Sequence, residues 1–170
     1  FDEDAFNSGS GAGSFKVDDE ITGLKVFRDD LFIFCETRIF KLTGSSSSNF
    51  AVSDVTRDIG CINGDTIQEF AGDLIFLGPD GLRTIAGTAR IGDVELGSVS
   101  RQIQSIISDV AANSGYIITS AVLRSKSQYR LFYSTNTEST TVARGIIGTL
   151  TPNGFAWSET LGIQALGFIS

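Results

Sequence analysis

The feature that most constrains this chain is an internal repeat. Residues 24–44 align without gaps with residues 67–87, a shift of 43 positions. Phe27 falls on Phe70 and Leu31 on Leu74. The other matched positions are Asp30 with Asp73, Ile39 with Leu82, Leu42 with Ile85 and Gly44 with Gly87. A period of roughly 40–45 residues is typical of the four-stranded blades of β-propellers.

Each copy predicts a strand, a polar turn, a strongly apolar strand, a second turn and a third strand. The first turns are residues 28–30 and 71–73, and the second turn of the later copy is Pro79-Asp80-Gly81, which favours a hairpin. The chain has 19 Gly and 13 Phe but only 2 Pro, as expected for β structure. The predicted fold is therefore mainly β, with antiparallel blades of a β-propeller-like domain.

A third, weaker copy covers residues 121–133, where aligning Leu131 with Leu74 gives a spacing of 57 residues. The longer spacing predicts an insertion, and one helix of about four turns over residues 98–112 fits it. Ser98 is the expected N-cap and residues 113–115 the expected stop. The apolar positions at helical spacing are Val99, Ile103, Ile106, Ile107 and Val110.

After the third copy we expect strands at residues 141–150 and 154–158, with Pro152, Asn153 and Gly154 in the turn between them. A last strand is expected at residues 162–170.

Residues 1–170 are interpreted as one β-propeller-like domain, because this length suits a single core. The sequence contains no Met, so we expect it to be a segment of a longer chain. Three blades do not close a propeller, which typically needs about 4–8. Open sheet edges and faces invite pairing, which predicts that a longer chain or neighbouring subunits complete the ring.

Residue content argues against several kinds of chemistry. The chain has no His, which excludes Ser-His and Cys-His catalysis within it. Cys35 and Cys61 are interpreted as buried free thiols. The net charge is −7, and the arginines at positions 28, 38, 57 and 83 are spread out, so no nucleic-acid surface is predicted. We also predict no catalytic residues, cofactor or metal, and infer no membrane contact because no apolar run approaches about 18 residues.

Residues 21–44 resemble a pattern of phage virion proteins, which reads I-T-G-L-x-V-F-R-D-x-L, an apolar strand, a polar turn and I-(Y/F)-x-L-T-G. A segment like residues 59–63 follows, and then a turn like residues 78–81. The resemblance covers about residues 20–110. It is similar to the propeller part of tail nozzle proteins, the tail tubular B class of short-tailed phages, with related segments in long-tailed phages.

This resemblance implies a structural, non-enzymatic component of the virion, located in the phage tail. Such proteins form a ring of identical copies beside neighbouring tail or adaptor proteins, and DNA leaves through the channel without specific binding. An acidic channel wall would repel phosphate. Some of five acidic residues are therefore hypothesised to face that channel: Asp18, Asp19, Glu20, Asp29 and Asp30.

Other functions remain open. A ligand-binding propeller, recognising carbohydrate or a host surface, is the first alternative, and a glycosidase fragment the second. A glycosidase needs two carboxylates, and the possible pairs are Glu36 with Glu69 and Asp73 with Asp80.

Two short segments also suggest specific binding roles. The acidic clusters at residues 2–4 and 18–20 could bind Ca²⁺ but are interpreted as solvated turns. Phe155 and Trp157 are either an interface anchor or part of a blade core.

Overall fold

The computed structural model describes residues 14–46, 49–86, 99–135, 143–163 and 165. Within these ranges the chain forms three antiparallel sheets, each built from strands that follow one another in sequence. We number them sheets 1 to 3 in chain order. The mainly β, antiparallel prediction is confirmed.

Sheet 1 contains four strands in the order β1-β2-β3-β4. They are β1 (Ile21–Phe27), β2 (Asp30–Cys35), β3 (Ile39–Thr43) and β4 (Ala51–Thr56). The β1–β2 turn has positive φ at both central residues, Arg28 (50°) and Asp29 (68°). This is the type I′ geometry, whose twist matches that of the flanking strands.

Sheet 2 contains β5 (Gln68–Phe70), β6 (Asp73–Gly78) and β7 (Gly81–Thr84). Its first turn repeats the geometry of sheet 1, with positive φ at Ala71 (53°) and Gly72 (78°). The pairing register also repeats after 43 residues: Phe70 opposite Asp73 corresponds to Phe27 opposite Asp30. Leu31 and Leu74 therefore occupy equivalent places in successive sheets.

The outer edge of sheet 2 keeps the same period. In sheet 1, Ile39 of β3 lies opposite Thr56, the last residue of β4. The positions 43 residues later are Leu82 and Val99, and the Val99 amide donates to the Leu82 carbonyl at 2.8 Å. The chain thus returns to the third strand at the equivalent place in both repeats.

Sheet 3 contains β8 (Ile117–Leu123), β9 (Gln128–Ser134), β10 (Arg144–Thr151) and β11 (Gly154–Leu161). Its first connection is longer, with a 3-10 helix and Ser127 at φ 50°. Counted from this turn, Tyr129 takes the place of Leu74, an interval of 55 residues. The predicted alignment of Leu131 with Leu74 was wrong by two residues, which preserves the face because side chains alternate with period two.

The predicted turn at residues 151–154 joins β10 to β11, with Thr151 opposite Gly154. The strand expected at residues 162–170 is not seen at the described positions 162, 163 and 165. The remaining positions of that prediction lie outside the described residues.

The inserted helix is present but shorter than expected. A 3-10 helix (Arg101–Ile103) leads into α1 (Gln104–Ala112). Ser98, the expected N-cap, lies outside the described residues. Ser100 accepts the Leu82 amide through Oγ at 2.9 Å and makes no side-chain cap. Ile107 and Val110 are buried, which confirms the predicted apolar stripe.

The core lies on both sides of sheet 2. Leu74 and Phe76 of β6 join a cluster with Phe32 and Phe34 of sheet 1. Their neighbours in β6 join a second cluster with sheet 3 and α1; the cluster includes Ile75, Leu77, Ile107, Tyr129 and Leu131. Because β6 is buried on both faces, its sequence is a continuous apolar run. The sheets are therefore stacked, and within the described residues they do not close into a ring.

Candidate assembly surfaces

Two surfaces follow from this stacking: the edge where the first strands meet and the outer face of sheet 1. At this edge the first strands of sheets 1 and 3 both contact the 3-10 helix Gly64–Thr66, called here the convergence segment. A Cβ on Gly64 would lie 2.2 Å from the carbonyl oxygen of Thr22 in β1. From the other side, Ser120 of β8 donates to the Asp65 carbonyl at 2.6 Å. Sheets 1 and 3 thus both contact this one segment.

Hydrogen bonds hold the convergence segment in place. Asn63 caps it by accepting the Asp65 amide at 2.8 Å. The Thr66 hydroxyl donates to the Asn63 carbonyl at 2.6 Å and accepts the Leu77 amide at 3.0 Å. The buried Tyr129 hydroxyl donates to the Thr66 carbonyl at 2.9 Å. These bonds satisfy polar groups that would otherwise be costly to bury.

Each sheet has two faces, which we name by equivalent positions. Face A carries Leu31 and Ile33 in sheet 1, Leu74 and Phe76 in sheet 2, and Tyr129 and Leu131 in sheet 3. Face B is the opposite side, with Phe32 and Phe34 in sheet 1 and Ile75 and Leu77 in sheet 2. Face A of sheet 2 packs on face B of sheet 1, and face A of sheet 3 packs on face B of sheet 2.

Face A of sheet 1 is the open end of this series. By register it comprises Leu24, Val26, Leu31, Ile33, Phe40, Leu42, Val52 and Asp54. Leu24 is 59% exposed and Val26 69%, whereas Ile67, which is equivalent to Leu24, is only 5% exposed. Ile33, in the inner strand β2 of the same face, is 5% exposed, so the exposed apolar side chains lie on the two edge strands, β1 and β4.

The five acidic residues hypothesised to face a channel lie at two separate places. Asp19 is just before β1 and accepts the Thr37 amide and hydroxyl, each at 2.8 Å. The backbone hydrogen bond from Thr37 lowers the pKa of Asp19. Asp29 and Asp30 are at the other end of β1, and Asp30 pairs with Lys41 at 3.2 Å. These acids therefore flank β1 and do not form one cluster.

The scattered arginines serve different contacts. Arg28 donates to the Gly72 carbonyl at 2.5 Å, which ties the first turns of sheets 1 and 2 together. Arg57 binds Asp54 through two nitrogens, at 3.0 and 3.2 Å. Arg83 is 1% exposed and pairs with Asp80. The guanidinium carbon of Arg38 lies 5.9 Å from the centre of the Phe40 ring on face A.

The carboxylates considered for glycoside hydrolysis are not brought together. Asp73 and Asp80 are at opposite ends of β6, which at about 3.3 Å per residue separates them by roughly 20 Å. A glycosidase needs about 5–9.5 Å. Glu36 follows the end of β2, whereas Glu69 lies beside the opposite, hairpin end of sheet 2.

No group of three acidic or cysteine side chains within the described ranges could hold a metal ion. Asp18, Asp19 and Glu20 fall within those ranges, and the cluster at residues 2–4 lies outside them. Cys35 and Cys61 are free and buried, as predicted. Burial raises the pKa of both thiols.

Phe155 and Trp157 pack inside the molecule. Their rings stack with centroids 5.2 Å apart, and the indole nitrogen of Trp157 donates to the Val99 carbonyl at 3.2 Å. Both side chains contact the cluster between sheets 2 and 3. The blade-core interpretation fits these contacts.

A small cleft lies where the turns of sheets 2 and 3 meet. Its volume is about 270 Å³, and its lining includes Glu69, Phe70, Arg124 and Leu150. Glu69 and Arg124 face each other at 3.9 Å. The cleft is slightly smaller than the roughly 300–1,000 Å³ usual for ligand sites.

No protein-family model matches the chain, and no curated protein is significantly similar to it. No helix in the described parts of the chain is long and apolar enough to cross a membrane.

Some structurally important residues were not identified from the sequence. Arg83 is aligned with Phe40, so its position in the repeat indicated an apolar side chain rather than a buried ion pair. Gly60 and Gly64 lie against backbone carbonyl oxygens at the end of β2 and in β1. The sequence signal for this close contact was that two glycines follow the first copy four residues apart.

Proposed function

We propose that the chain is a structural component of a phage tail, contributing its sheets to an oligomeric ring around the channel through which DNA exits. The observation that carries this proposal is the ordered pattern of residues 21–44, 59–63 and 78–81. These segments correspond to strands β1 to β3, the connection between sheets 1 and 2, and the second turn of sheet 2. The three segments therefore cover three of the four strands of sheet 1 and its junction with sheet 2.

The stacking of the sheets supports a role in assembly. Each internal sheet contact buries an apolar face, whereas face A of sheet 1 leaves Leu24, Val26 and Val52 exposed. In a closed propeller the first sheet packs against the last. Ring closure would therefore cover face A of sheet 1. The β-propeller arrangement itself is part of this proposal.

The charge of the chain supports passage of DNA without binding. The net charge is −7, and Asp18, Asp29 and Asp30 lie at the two ends of β1, the strand beside the convergence segment. If the first-strand edges border the channel, these acids stand at its two openings. Asp18 and Asp30 are each paired with a lysine, at 3.3 and 3.2 Å, so the repulsion of phosphate would come mainly from the net negative charge of the chain, over a Debye length of roughly 8–10 Å.

The direct test is to locate the chain in particles. Phage particles purified from a culture that encodes the chain should contain it in a fixed number of copies. Immunogold label raised against it should mark the tail, where neighbouring tail or adaptor proteins would be its contacts, and averaged electron micrographs should show a rotationally symmetric ring. Absence from purified particles, with abundant chain in the lysate, would refute the proposal.

The cleft lined by Glu69, Phe70 and Arg124 is the feature that favours the ligand-binding alternative. Carbohydrate binding uses exposed aromatic surfaces, whereas Phe70 is 7% exposed and its ring packs against Phe155 at 5.7 Å. Glycan binding by the isolated chain that is lost in Glu69→Ala would support this alternative over the tail component.

A further inference from the structure

The dipeptide Asn-Gly occurs twice in the chain, at Asn63-Gly64 and at Asn153-Gly154. In this dipeptide the backbone nitrogen of the glycine can attack the side-chain amide carbon of the asparagine, because no Cβ shields that nitrogen. The attack closes a five-membered ring, and it requires rotation about the Cα–C and Cα–Cβ bonds of the asparagine. The reactivity of each site therefore depends on how firmly the fold holds it.

The fold holds Asn63 in place from two directions. Its side-chain oxygen accepts the Asp65 amide at 2.8 Å, and its backbone carbonyl accepts the Thr66 hydroxyl at 2.6 Å. A Cβ on Gly64 would lie 2.2 Å from the Thr22 carbonyl oxygen, so the backbone has little room to rotate at this position. Ring closure at Asn63 would first have to break the cap of the convergence segment.

Asn153 has none of these restraints. Asn153 and Gly154 are both exposed at the tip of the hairpin that joins β10 to β11. Within the described part of the chain the Asn153 side chain makes no hydrogen bond, and its backbone amide donates to Thr151 Oγ1 at a long 3.3 Å. A Cβ added to Gly154 would meet no atom within 4 Å. Thr151 and Gly154 form the last pair of the ladder, where local opening costs least.

We propose that Asn153 is a site of spontaneous deamidation in the folded protein and that the fold protects Asn63 from the same reaction. The Gly154 nitrogen bonds to the side-chain carbonyl carbon of Asn153, and the amide group leaves as ammonia with the proton of that nitrogen. Water then opens the resulting succinimide ring at either of its two carbonyl carbons. One opening gives aspartate, and the other gives isoaspartate, whose backbone runs through the side-chain methylene.

Both products change the end of sheet 3. A carboxylate replaces a neutral amide, which makes the net charge of −7 more negative by one unit. Isoaspartate also lengthens the two-residue loop by one backbone atom, and loop length fixes the register of a hairpin. The affected strand, β11, is the edge strand of sheet 3 and carries Phe155 and Trp157 into the core. This inference concerns the chain itself and does not depend on a location in a phage tail.

The experiment incubates the folded chain at mildly alkaline pH and follows both sites by mass spectrometry of tryptic peptides. Trypsin places the two sites in separate peptides, residues 58–83 and residues 145–170. Fragment ions assign the mass increase to a single residue, and chromatography separates aspartate from isoaspartate products. Asn153 should convert at least roughly tenfold faster than Asn63, whose cap must break first. Both products should form at Asn153.

Two controls separate the effect of the fold from that of the dipeptide. In urea neither site is held by the fold, so Asn63 and Asn153 should convert at similar rates. Asn153→Gln should remove the rapid conversion from the peptide of residues 145–170, because glutamine would have to close a less favourable six-membered ring. Circular dichroism confirms that this variant is folded.

Three results would overturn the proposal. The first is conversion of Asn63 as fast as that of Asn153 in the folded chain. The second is a ratio of the two rates that stays the same in urea, since the fold would then protect neither site. The third is aspartate as the sole product at Asn153, because direct hydrolysis does not pass through the ring.

Discussion

Phe34 of sheet 1 and Phe76 of sheet 2 meet edge to face, with ring centroids 5.3 Å apart and both side chains fully buried. We expect Phe34→Ala to lower the free energy of unfolding by about 3–5 kcal/mol, because it leaves a cavity between the sheets. Phe40→Ala, on the open face of sheet 1, should cost clearly less. Urea denaturation of both variants measures the difference, and equal losses would contradict the buried contact.

Gly60 allows the chain to cross from sheet 1 to sheet 2. A Cβ at this position would lie 2.2 Å from the Glu36 carbonyl oxygen and 2.3 Å from that of Cys35. Both atoms belong to the backbone and cannot rotate away, so Gly60→Ala should destabilise the fold by more than about 2 kcal/mol.

The control for this prediction is Gly115→Ala, where the nearest atom is a side-chain oxygen at 3.2 Å. Thermal unfolding should show a much smaller decrease in melting temperature for the control. Similar decreases in melting temperature for the two variants would show that the Cys35 and Glu36 carbonyl oxygens do not prevent a side chain at Gly60.

Two aspartate–arginine pairs with the same spacing differ in burial. Arg83 is 1% exposed beside Asp80, whereas the side chain of Arg57 is 77% exposed beside Asp54. Asp80→Ala removes the carboxylate that pairs with the buried Arg83 and should cost about 3–5 kcal/mol. Asp54→Ala should cost less than about 1 kcal/mol, because water solvates Arg57. Chemical denaturation at neutral pH compares them, and a small loss for Asp80→Ala would contradict the role of burial.

The repeat explains why much of the fold could be predicted from the sequence. A shift of 43 residues places Leu74 where Leu31 lies, and both strands and both turns keep the same register. The third copy was aligned two residues away because its connection, from Arg124 to Ser127, is longer than the two-residue turns. Its length depends on local backbone geometry, which the apolar pattern does not encode.

The sheet contacts could not be predicted in the same way. Alternation separates face A from face B, but it does not show which neighbouring sheet covers which face. Ser100 illustrates the limit: it precedes the 3-10 helix that leads into α1, yet its hydroxyl accepts the Leu82 amide of sheet 2 and does not cap that helix. The carboxylate pair Asp73 and Asp80 appeared close in sequence, yet a six-residue strand separates them.

Tyr129 joins sheet 3 to the convergence segment through its buried hydroxyl, which donates to the Thr66 carbonyl at 2.9 Å. Tyr129→Phe should therefore cost about 1–3 kcal/mol near neutral pH, since it leaves a buried acceptor without its donor. Tyr116→Phe is the comparison, because the Tyr116 side chain is only half-buried and lies at the edge of the same core.

The effect of Tyr129 should change at high pH. Burial raises the pKa of Tyr129 well above its ordinary value of 10.0, so the unfolded chain releases the phenol proton at a lower pH than the folded chain. The contribution of the neutral phenol to the free energy of unfolding has its full value below about pH 10 and decreases as the pH rises further. The advantage of wild type over Tyr129→Phe should thus narrow between about pH 9 and 11 in urea unfolding, and a constant difference would show that the phenol is not held neutral by burial.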